Sequence, residues 1–259
     1  NEQVYAVPMV IEESSVVAAA SNAAKFWLSR GGFKAKVIST KKVGQVHFAY
    51  RGAKEKLFTF FNSIKEDLKA EAKHITAKMD ERGGGVTDME LFDFTALEPN
   101  YYQLRAYFET VDSMGANFIN SCLEEFGTKL TEKIISSDLF TSVEKEVEII
   151  MCILSNYTPE CLAHAEVSCK VSELGSFENG SITPKEFAEN FEKAVNIARI
   201  DPYRATTHNK GIMNGIDSVV IATGNDFRAI EACAHTYACK DGTYRSLSKC
   251  KVENGSVNC

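Results

Sequence analysis

The sequence has no GxGxxG, no CxxC pair and no apolar run approaching the ~18 residues of a membrane-spanning helix. The first absence removes support for a Rossmann-type nucleotide site. The second leaves eight cysteines, at 122, 152, 161, 169, 233, 239, 250 and 259, without the paired spacing of a zinc site. The third leaves nothing to span a bilayer. Positive charge is also in short supply. Against 35 Asp and Glu stand 29 Lys and Arg, a net charge of −6, so no nucleic-acid surface is expected. The densest basic stretch, FKAKVISTKK (33–42), interleaves its lysines with Ala, Val and Ile and reads as a solvated strand face. No repeat or low-complexity segment interrupts the chain. With no signal peptide in view, free thiols in a reducing cytoplasm are the expectation.

What is present is a chain of 259 residues, 44% hydrophobic, long enough for one large domain or two ordinary ones. VYAVPMVI (4–11) reads as a mostly buried strand. EESSVVAAASNAAKFWLSRGG follows as a helix capped by Ser14 or Ser15 and closed at Gly31–Gly32. VGQVHFAY (43–50) alternates as a strand. Residues 53–80 set Leu57, Phe58, Phe61, Ile64, Leu68, Ile75 and Met79 on one stripe of a single long helix. VTDMELFDF and YYQLRAYFETV flank a turn, MGANFINSCLEEFGTKLTEKI makes a second helix, and EVEIIMCILS a fourth strand. The order β-α-β-β-α-β is the split βαβ, or ferredoxin-like, arrangement. The expected class is therefore α+β. A large mixed helical and strand domain (1–40 and 156–259) carries an inserted ferredoxin-like domain (41–155). In the last third, CLAHAEVSCKV reads as one strand and TPKEFAENFEKAVNIARI as a helix with Thr183 as cap and Pro184 first. A final helix, FRAIEACAHTYACKDG, would be capped by Asn225 or Asp226. The polar KVENGSVNC shows no element, and the lack of an initiator methionine suggests a piece of a longer protein.

Chemistry concentrates in HNKGIMNGIDSVVIATGND (208–226). Its periodicity places Lys210 where a helix begins and Asp226 just past its far end, both poor places for those charges. Ile212, Ile216, Val219 and Val220 would form the buried stripe. Gly211 and Gly215 remove side chains beside Lys210, so a ligand could approach the backbone and the lysine could steady a developing oxyanion. A snorkelling surface lysine followed by packing glycines is the plainer alternative. Asp226 could simply cap the next helix. Glu12–Glu13 stand before a helix, where carboxylates are favoured electrostatically, yet one of them could deliver a proton. His208 and His235 could be proton donors or packed residues. VDSMGANF (111–118) is a strand–turn–helix junction with Gly115, suited to a phosphate on backbone N–H groups. No cysteine or serine stands as a nucleophile beside a histidine, which weakens an acyltransferase reading. A lysine, two acids and a phosphate loop suit carbonyl reduction or addition without choosing between them.

Together VPMVIEESSVVAAASNAAK (7–25), DSMGANFIN (112–120), ILSN (153–156), DPYRATTHNKGIMNGID (201–217) and ATGNDFRAIEACAHTYA (222–238) resemble the 3-hydroxy-3-methylglutaryl-CoA reductases, particularly the bacterial class II branch. The resemblance implies that the inserted domain binds the nicotinamide nucleotide. It also implies a two-hydride reduction of HMG-CoA by NAD(P)H to mevalonate and CoA, or the reverse. By position, Lys210 would stabilise the thioester and hemithioacetal oxygens, Glu13 would donate a proton as the aldehyde is reduced, and Asp226 would bridge the two. Ser15, Arg204 and Asn214 fall where the family binds the acyl substrate, and Asn156 where it supports the catalytic network. Asp112, Ser113, Met114, Gly115 and Asn117 fall in the dinucleotide loop. NAD-preferring members hold the adenosine ribose with an acid where a gap-free alignment back from Gly83 puts Thr76. With Lys73, His74 and Lys78 close by, the expectation leans to NADPH over NADH.

Two further expectations follow from the resemblance. The active site would lie at the interface of a homodimer or higher oligomer, with no membrane partner. The family's catalytic histidine would come from a C-terminal segment outside these 259 residues, and neither His208 nor His235 matches it. The alternative is a non-catalytic CoA- or nucleotide-binding module that retains the pocket. EESS where the family has EEPS removes a stiffening proline beside Glu13. For Lys210 to meet Asp226, the helix between them must be shorter or bent, or the pairing must cross between subunits, because ~16 residues at 1.5 Å each span ~24 Å.

Overall fold

A computed structural model describes residues 6–9, 13–175 and 180–259. The expected strand at 4–11 lies mostly outside the described residues, and its residues 6–9 have no regular secondary structure. The chain divides into two compact units, Ser39–Leu162 and the remainder before and after it. It enters through α1 (Ser14–Leu28) and β1 (Lys34–Thr40), passes through the inner unit, and returns by β6 (Cys161–Glu166). β1 and β6 pair as a two-stranded sheet. The exposed lysines of β1 make it the solvated strand its composition suggests.

The inner unit holds β2 (Lys42–Ala49), α2 (Lys54–Glu71), α3 (Lys73–Asp80), β3 (Gly85–Asp93), β4 (Tyr101–Glu109), α4 (Ala116–Ser136) and β5 (Glu148–Leu154). Its sheet runs β3-β4-β2-β5 with every neighbour antiparallel, the ferredoxin-like order. Alternation decides which face is covered. Val46 and Phe48 of β2 stand opposite Leu104 and Tyr102 of β4, and all four are buried. Against them pack Leu57, Phe61 and Leu68 of α2 and Ile119, Leu123 and Phe126 of α4. Gly44 has to be glycine here, since a Cβ would sit 2.5 Å from Leu123 Cδ1 and 2.9 Å from Ile119 Cγ2. The single helix expected over 53–80 is in fact two. At Ala72 ψ turns to 1°, the α-helical ladder breaks, and α3 begins anew.

The outer unit holds α5 (Pro184–Ile200), α6 (Pro202–Ala222), α7 (Phe227–Ala238) and a small sheet ordered β7-β9-β8. Its strands are β7 (Ser168–Lys170), β8 (Lys251–Glu253) and β9 (Ser256–Asn258). α5 starts as its sequence demands, with Thr183 accepting from the Glu186 N–H and the Glu186 side chain returning to the Thr183 N–H. Cys169, Leu174, Ala188, Val195, Cys250 and Val257 form the core, with Phe26 and Trp27 of α1 against it.

Three expectations are corrected in this unit. CLAHAEVSCKV is two strands in different sheets, because Val167 between them exchanges both backbone hydrogen bonds with Cys259. The tail KVENGSVNC, expected to show no element, is a hairpin. Asn254 and Gly255 have φ of 52° and 72°, the left-handed pair of a type I′ turn. And the thiols are not all free, since Cys250 is disulfide-bonded to Cys259 across that hairpin.

Candidate functional site

Glu13 is the N-cap of α1, with its carbonyl accepting the Val16 and Val17 N–H groups at 3.1 and 3.2 Å. Neither serine caps the helix. The Ser15 hydroxyl instead donates to Glu13 Oε1 at 2.7 Å, so these two candidate residues form one polar unit at an exposed helix start. α1 itself has no buried residue despite its Val and Ala content.

α6 begins eight residues before Lys210. Asp201 caps it by accepting the Tyr203 and Arg204 N–H groups, both at 3.2 Å, and Pro202 takes the first helical position, where a missing N–H costs nothing. Lys210 is therefore an exposed mid-helix residue, not a helix start, and the supposed clash with the dipole disappears. The expected stripe is corrected too. The buried positions are Ala205, Asn209, Met213, Asp217 and Ser218, while Ile216 and Val219 are 37% and 50% exposed. Two polar side chains displace the aliphatics from the packed face because they make specific contacts there. The Asn209 amide, for instance, donates to Arg245 O and accepts from the Leu247 N–H, both at 2.9 Å.

Lys210 and Asn214 are four residues apart and lie on one side of α6. Around them Gly211 and Gly215 leave bare helix backbone, for a Cβ at either would meet nothing within 4 Å. The packing explanation for these glycines thus fails among the described residues. Arg204 is exposed on the same helix, nearer its start.

Asp226 caps α7, accepting the Arg228 and Ala229 N–H groups at 3.0 and 3.3 Å. The hydrogen bond from the Arg228 side chain, followed by those backbone donors, holds its carboxyl below the ordinary range. It lines an open hollow of about 550 Å³ with Gly224, Asn225, Phe227 and Arg228. α6 is one unbroken helix to Ala222, so the idea of a short or bent helix is corrected. Twelve residues separate Lys210 from that end, a path of ~18 Å. The two histidines are taken up in packing. His208 Nε2 lies 2.6 Å from Ser248 Oγ, with burial and then Arg204 lowering its pKa, and His235 Nδ1 lies 2.7 Å from the Tyr244 hydroxyl.

In the inner unit the β4–α4 connection is built around Thr110. Lys42 Nζ donates to Thr110 Oγ1 at 2.6 Å, Thr110 Oγ1 donates to Ser113 O at 2.7 Å, and Ser113 Oγ donates to Thr110 O at 2.8 Å. Gly115 precedes α4 with φ of 76°, and a Cβ there would sit 2.5 Å from Thr110 Cγ2, so the turn requires glycine twice over. α4 has neither a side-chain cap nor an acid in its first turn. Its N-terminal N–H groups therefore face a loop where Arg82 pairs with Asp112 at 2.7 Å, and Met114 and Asn117 are exposed. This is an arrangement for a phosphate group. Lys42 and Arg82 were not legible as members of it, since each joins from a distant strand or turn.

Thr76 is corrected. It is 3% exposed, and its hydroxyl donates to Asp80 Oδ2 at 2.8 Å, so it faces the core and not a ribose. The exposed groups on α3 are Lys73, paired with Asp80, His74 and Lys78. Asn156 is exposed at the bend after β5. No group of three or more potential metal ligands occurs among the described residues. No described helix is long and apolar enough to cross a membrane.

Two known structures have this fold. The 3-hydroxy-3-methylglutaryl-coenzyme A reductase from Streptococcus pneumoniae superposes with a TM-score of 0.86 at 36% identity, covering 100% of this chain and 58% of that one. The class II enzyme of the same organism, bound to NADPH in open conformations, gives 0.86 at 37% identity over 100% of this chain and 66% of that one. By sequence, the 3-hydroxy-3-methylglutaryl-coenzyme A reductase of Archaeoglobus fulgidus is 33% identical over 253 residues, which is 96% of this chain and 52% of the relative. A probable reductase of Borreliella burgdorferi is 32% identical over 249 residues, 96% of this chain and 53% of the relative. The chain thus spans about half the length of the curated relatives it matches. The family model for hydroxymethylglutaryl-coenzyme A reductase matches residues 1–259. An inserted ferredoxin-like unit with a glycine turn before α4, and a lysine beside bare glycine backbone on α6, agree with sequence and fold comparisons that run the length of the chain: it belongs to the hydroxymethylglutaryl-coenzyme A reductase family.

Proposed function

We propose that this chain forms the catalytic core of a class II reductase that converts HMG-CoA to mevalonate and CoA at the expense of a nicotinamide nucleotide, or runs the reverse. The observation that carries the reading is the exposed side of α6, where Lys210 and Asn214 stand beside unfilled backbone at Gly211 and Gly215. Lys210 places a cation where an acyl oxygen gains negative charge, and the glycines let that oxygen approach. Glu13, held by the Ser15 hydroxyl, returns a proton to the carbonyl oxygen as the aldehyde is reduced. Ser15, Arg204 and Asn214 bind the acyl group, Asn156 supports the network, and Asp226 tunes the charge of Lys210 and Glu13. The nucleotide, when bound, supplies the hydrides. For it the chain provides Asp112, Ser113, Met114, Gly115, Asn117 and the α4 N-terminus, with Lys42 and Arg82 nearby as counter-charges. Lys73, His74 and Lys78, exposed on α3, support NADPH over NADH.

The reading includes a homodimer. α1 has no fully buried residue, and Leu28, Ile216, Val219 and Ile230 are exposed, so the outer unit has apolar helix surface that a second copy would cover. Pairing across that interface is the route left for Asp226 to reach Lys210, given the unbroken α6. One disulfide joining two of the eight cysteines, with no second formed among the described residues, supports a cytoplasmic setting. The decisive measurement is HMG-CoA-dependent oxidation of NADPH, and separately of NADH, by the full-length protein and its Lys210→Ala variant. Loss of roughly 10²-fold or more in kcat is expected on removing the cation. Undiminished turnover in the variant would sink the mechanism, and a strong preference for NADH would sink the cofactor assignment.

A further inference from the structure

Asn209 is fully buried on α6, and its amide is bonded on both sides to a segment outside that helix. Its Nδ2 donates to Arg245 O and its Oδ1 accepts the Leu247 N–H, both at 2.9 Å. Only one orientation of the amide does this, because a flip would set N–H against N–H and oxygen against oxygen. His208, the residue before it, reaches the same segment at Ser248 Oγ, 2.6 Å away. The segment, residues 244–248, has no helix or strand, yet it is pinned to elements other than α6. The Arg245 N–H donates to Ala238 O at the end of α7 at 2.9 Å, and the Ser246 N–H to Ala198 O of α5 at 3.0 Å. The Arg245 guanidinium adds a bond to Arg199 O, also at 2.9 Å. One turn to either side of Asn209 on the packed face are Ala205 and Met213, whose apolar contacts would tolerate a roll of the helix. Two directional bonds do not.

We propose that Asn209 is the positioning residue of Lys210: its amide keys α6 to residues 244–248 and so sets the direction in which Lys210 presents its ammonium. Lys210 is the next residue along, turned ~100° round the helix from Asn209 and exposed. Whatever fixes the roll of α6 at residue 209 therefore fixes the direction of the cation at 210. The lever is steep. A group ~6 Å from the helix axis moves ~2 Å for a roll of ~20°, and misplacing a reacting group by ~1 Å can cost ~10²-fold in rate. Asn214, four residues beyond Lys210, is carried by the same roll. The inference rests on the reading of Lys210 as the cation that meets the acyl oxygen. It adds the device that aims it, a buried amide read by two backbone groups of a segment held by α5 and α7.

The test is a double-mutant cycle on kcat for HMG-CoA-dependent NADPH oxidation. It uses the full-length wild-type protein, Asn209→Leu, Lys210→Ala and the double variant. Leucine is close to asparagine in volume and removes both bonds. If Asn209 acts through Lys210, Asn209→Leu loses roughly 10-fold or more in kcat with the KM for NADPH unchanged. The same substitution made on Lys210→Ala then changes kcat by less than about 2-fold. Equal fold losses in the two backgrounds, the mark of general damage to the fold, would overturn the proposal and leave the catalytic reading in place. Undiminished turnover in Lys210→Ala alone would overturn that reading, and the proposal with it. Should the leucine variant fail to fold, Asn209→Asp takes its place in the cycle, since it keeps an acceptor for the Leu247 N–H and loses the donor to Arg245 O. Amide exchange of the wild-type protein tests the contact without any variant. The Leu247 N–H should exchange about 10²-fold or more slowly than an exposed loop amide, and exchange at the loop rate refutes the proposal.

Discussion

Asp226 does two jobs at one position. Its oxygens accept N–H groups that have no partner within α7, and its charge is what the proposed reaction needs. The two jobs separate by substitution. Asparagine is as good a helix cap as aspartate but carries no charge, whereas alanine removes both properties. Asp226→Asn should keep the thermal midpoint and lose most of the turnover, while Asp226→Ala should lose about 1 kcal/mol of stability as well. Full turnover in the Asn variant would confine this residue to capping. Thr76 and Asp217 show the opposite case, polar residues whose environment turns them inward. Thr76 donates to Asp80, and Asp217 is 3% exposed on the packed face of α6.

At the scale of elements, the connection between α4 and β5 is held by one carboxylate. Glu144 accepts two hydrogen bonds from Lys56 Nζ of α2, at 2.7 and 2.8 Å, and one from the Thr141 N–H at 2.9 Å. The Lys56 hydrogen bond first, then the Thr141 backbone, bring its carboxyl down to about 2. A depressed carboxylate contributes stability that is present above its ordinary value of 4.5 and is lost as pH falls toward about 2. Thermal melts from pH 5 to pH 2 should therefore show a shallower acid decline in Glu144→Gln than in wild type. Parallel declines would mean that Glu144 is not what acid titrates here. α6 makes the complementary point, since its start is decided by Asp201 and Pro202 and not by the first apolar residue of a stripe.

For the whole molecule, the inner unit has a core of its own. Every residue of its buried cluster, from Val46 to Phe140, lies within Ser39–Leu162. Its first and last strands, β2 and β5, are sheet neighbours, so the ends of the segment emerge close together. A polypeptide of residues 39–162 should fold alone, with a single cooperative melt and well-dispersed amide resonances. A molten, ANS-binding state would show that the unit depends on the rest of the chain. The outer unit differs, with no fully buried residue in α1 and apolar side chains exposed on α6 and α7. Its surface is what a second subunit would complete.

The inner unit's architecture was legible because each element there carries its own period. Strict alternation in VGQVHFAY and a helical stripe from Leu57 to Leu68 leave one way to cover the sheet, and the resulting order is ferredoxin-like. Roles for Lys210, Glu13, Asp112 and Gly115 came from the family resemblance of whole stretches, because their spacing alone left plainer readings open. The NG turn of the last hairpin is local too, but its polar neighbours carry no strand period to mark it. What periodicity could not show was which side of α6 is packed. Asn209 occupies that face because partners at Arg245 and Leu247, 36 and 38 residues away, satisfy it there. Pattern along one helix records hydrophobicity. Hydrogen bonds between distant segments exist only once the chain has folded, and tertiary structure alone decides them.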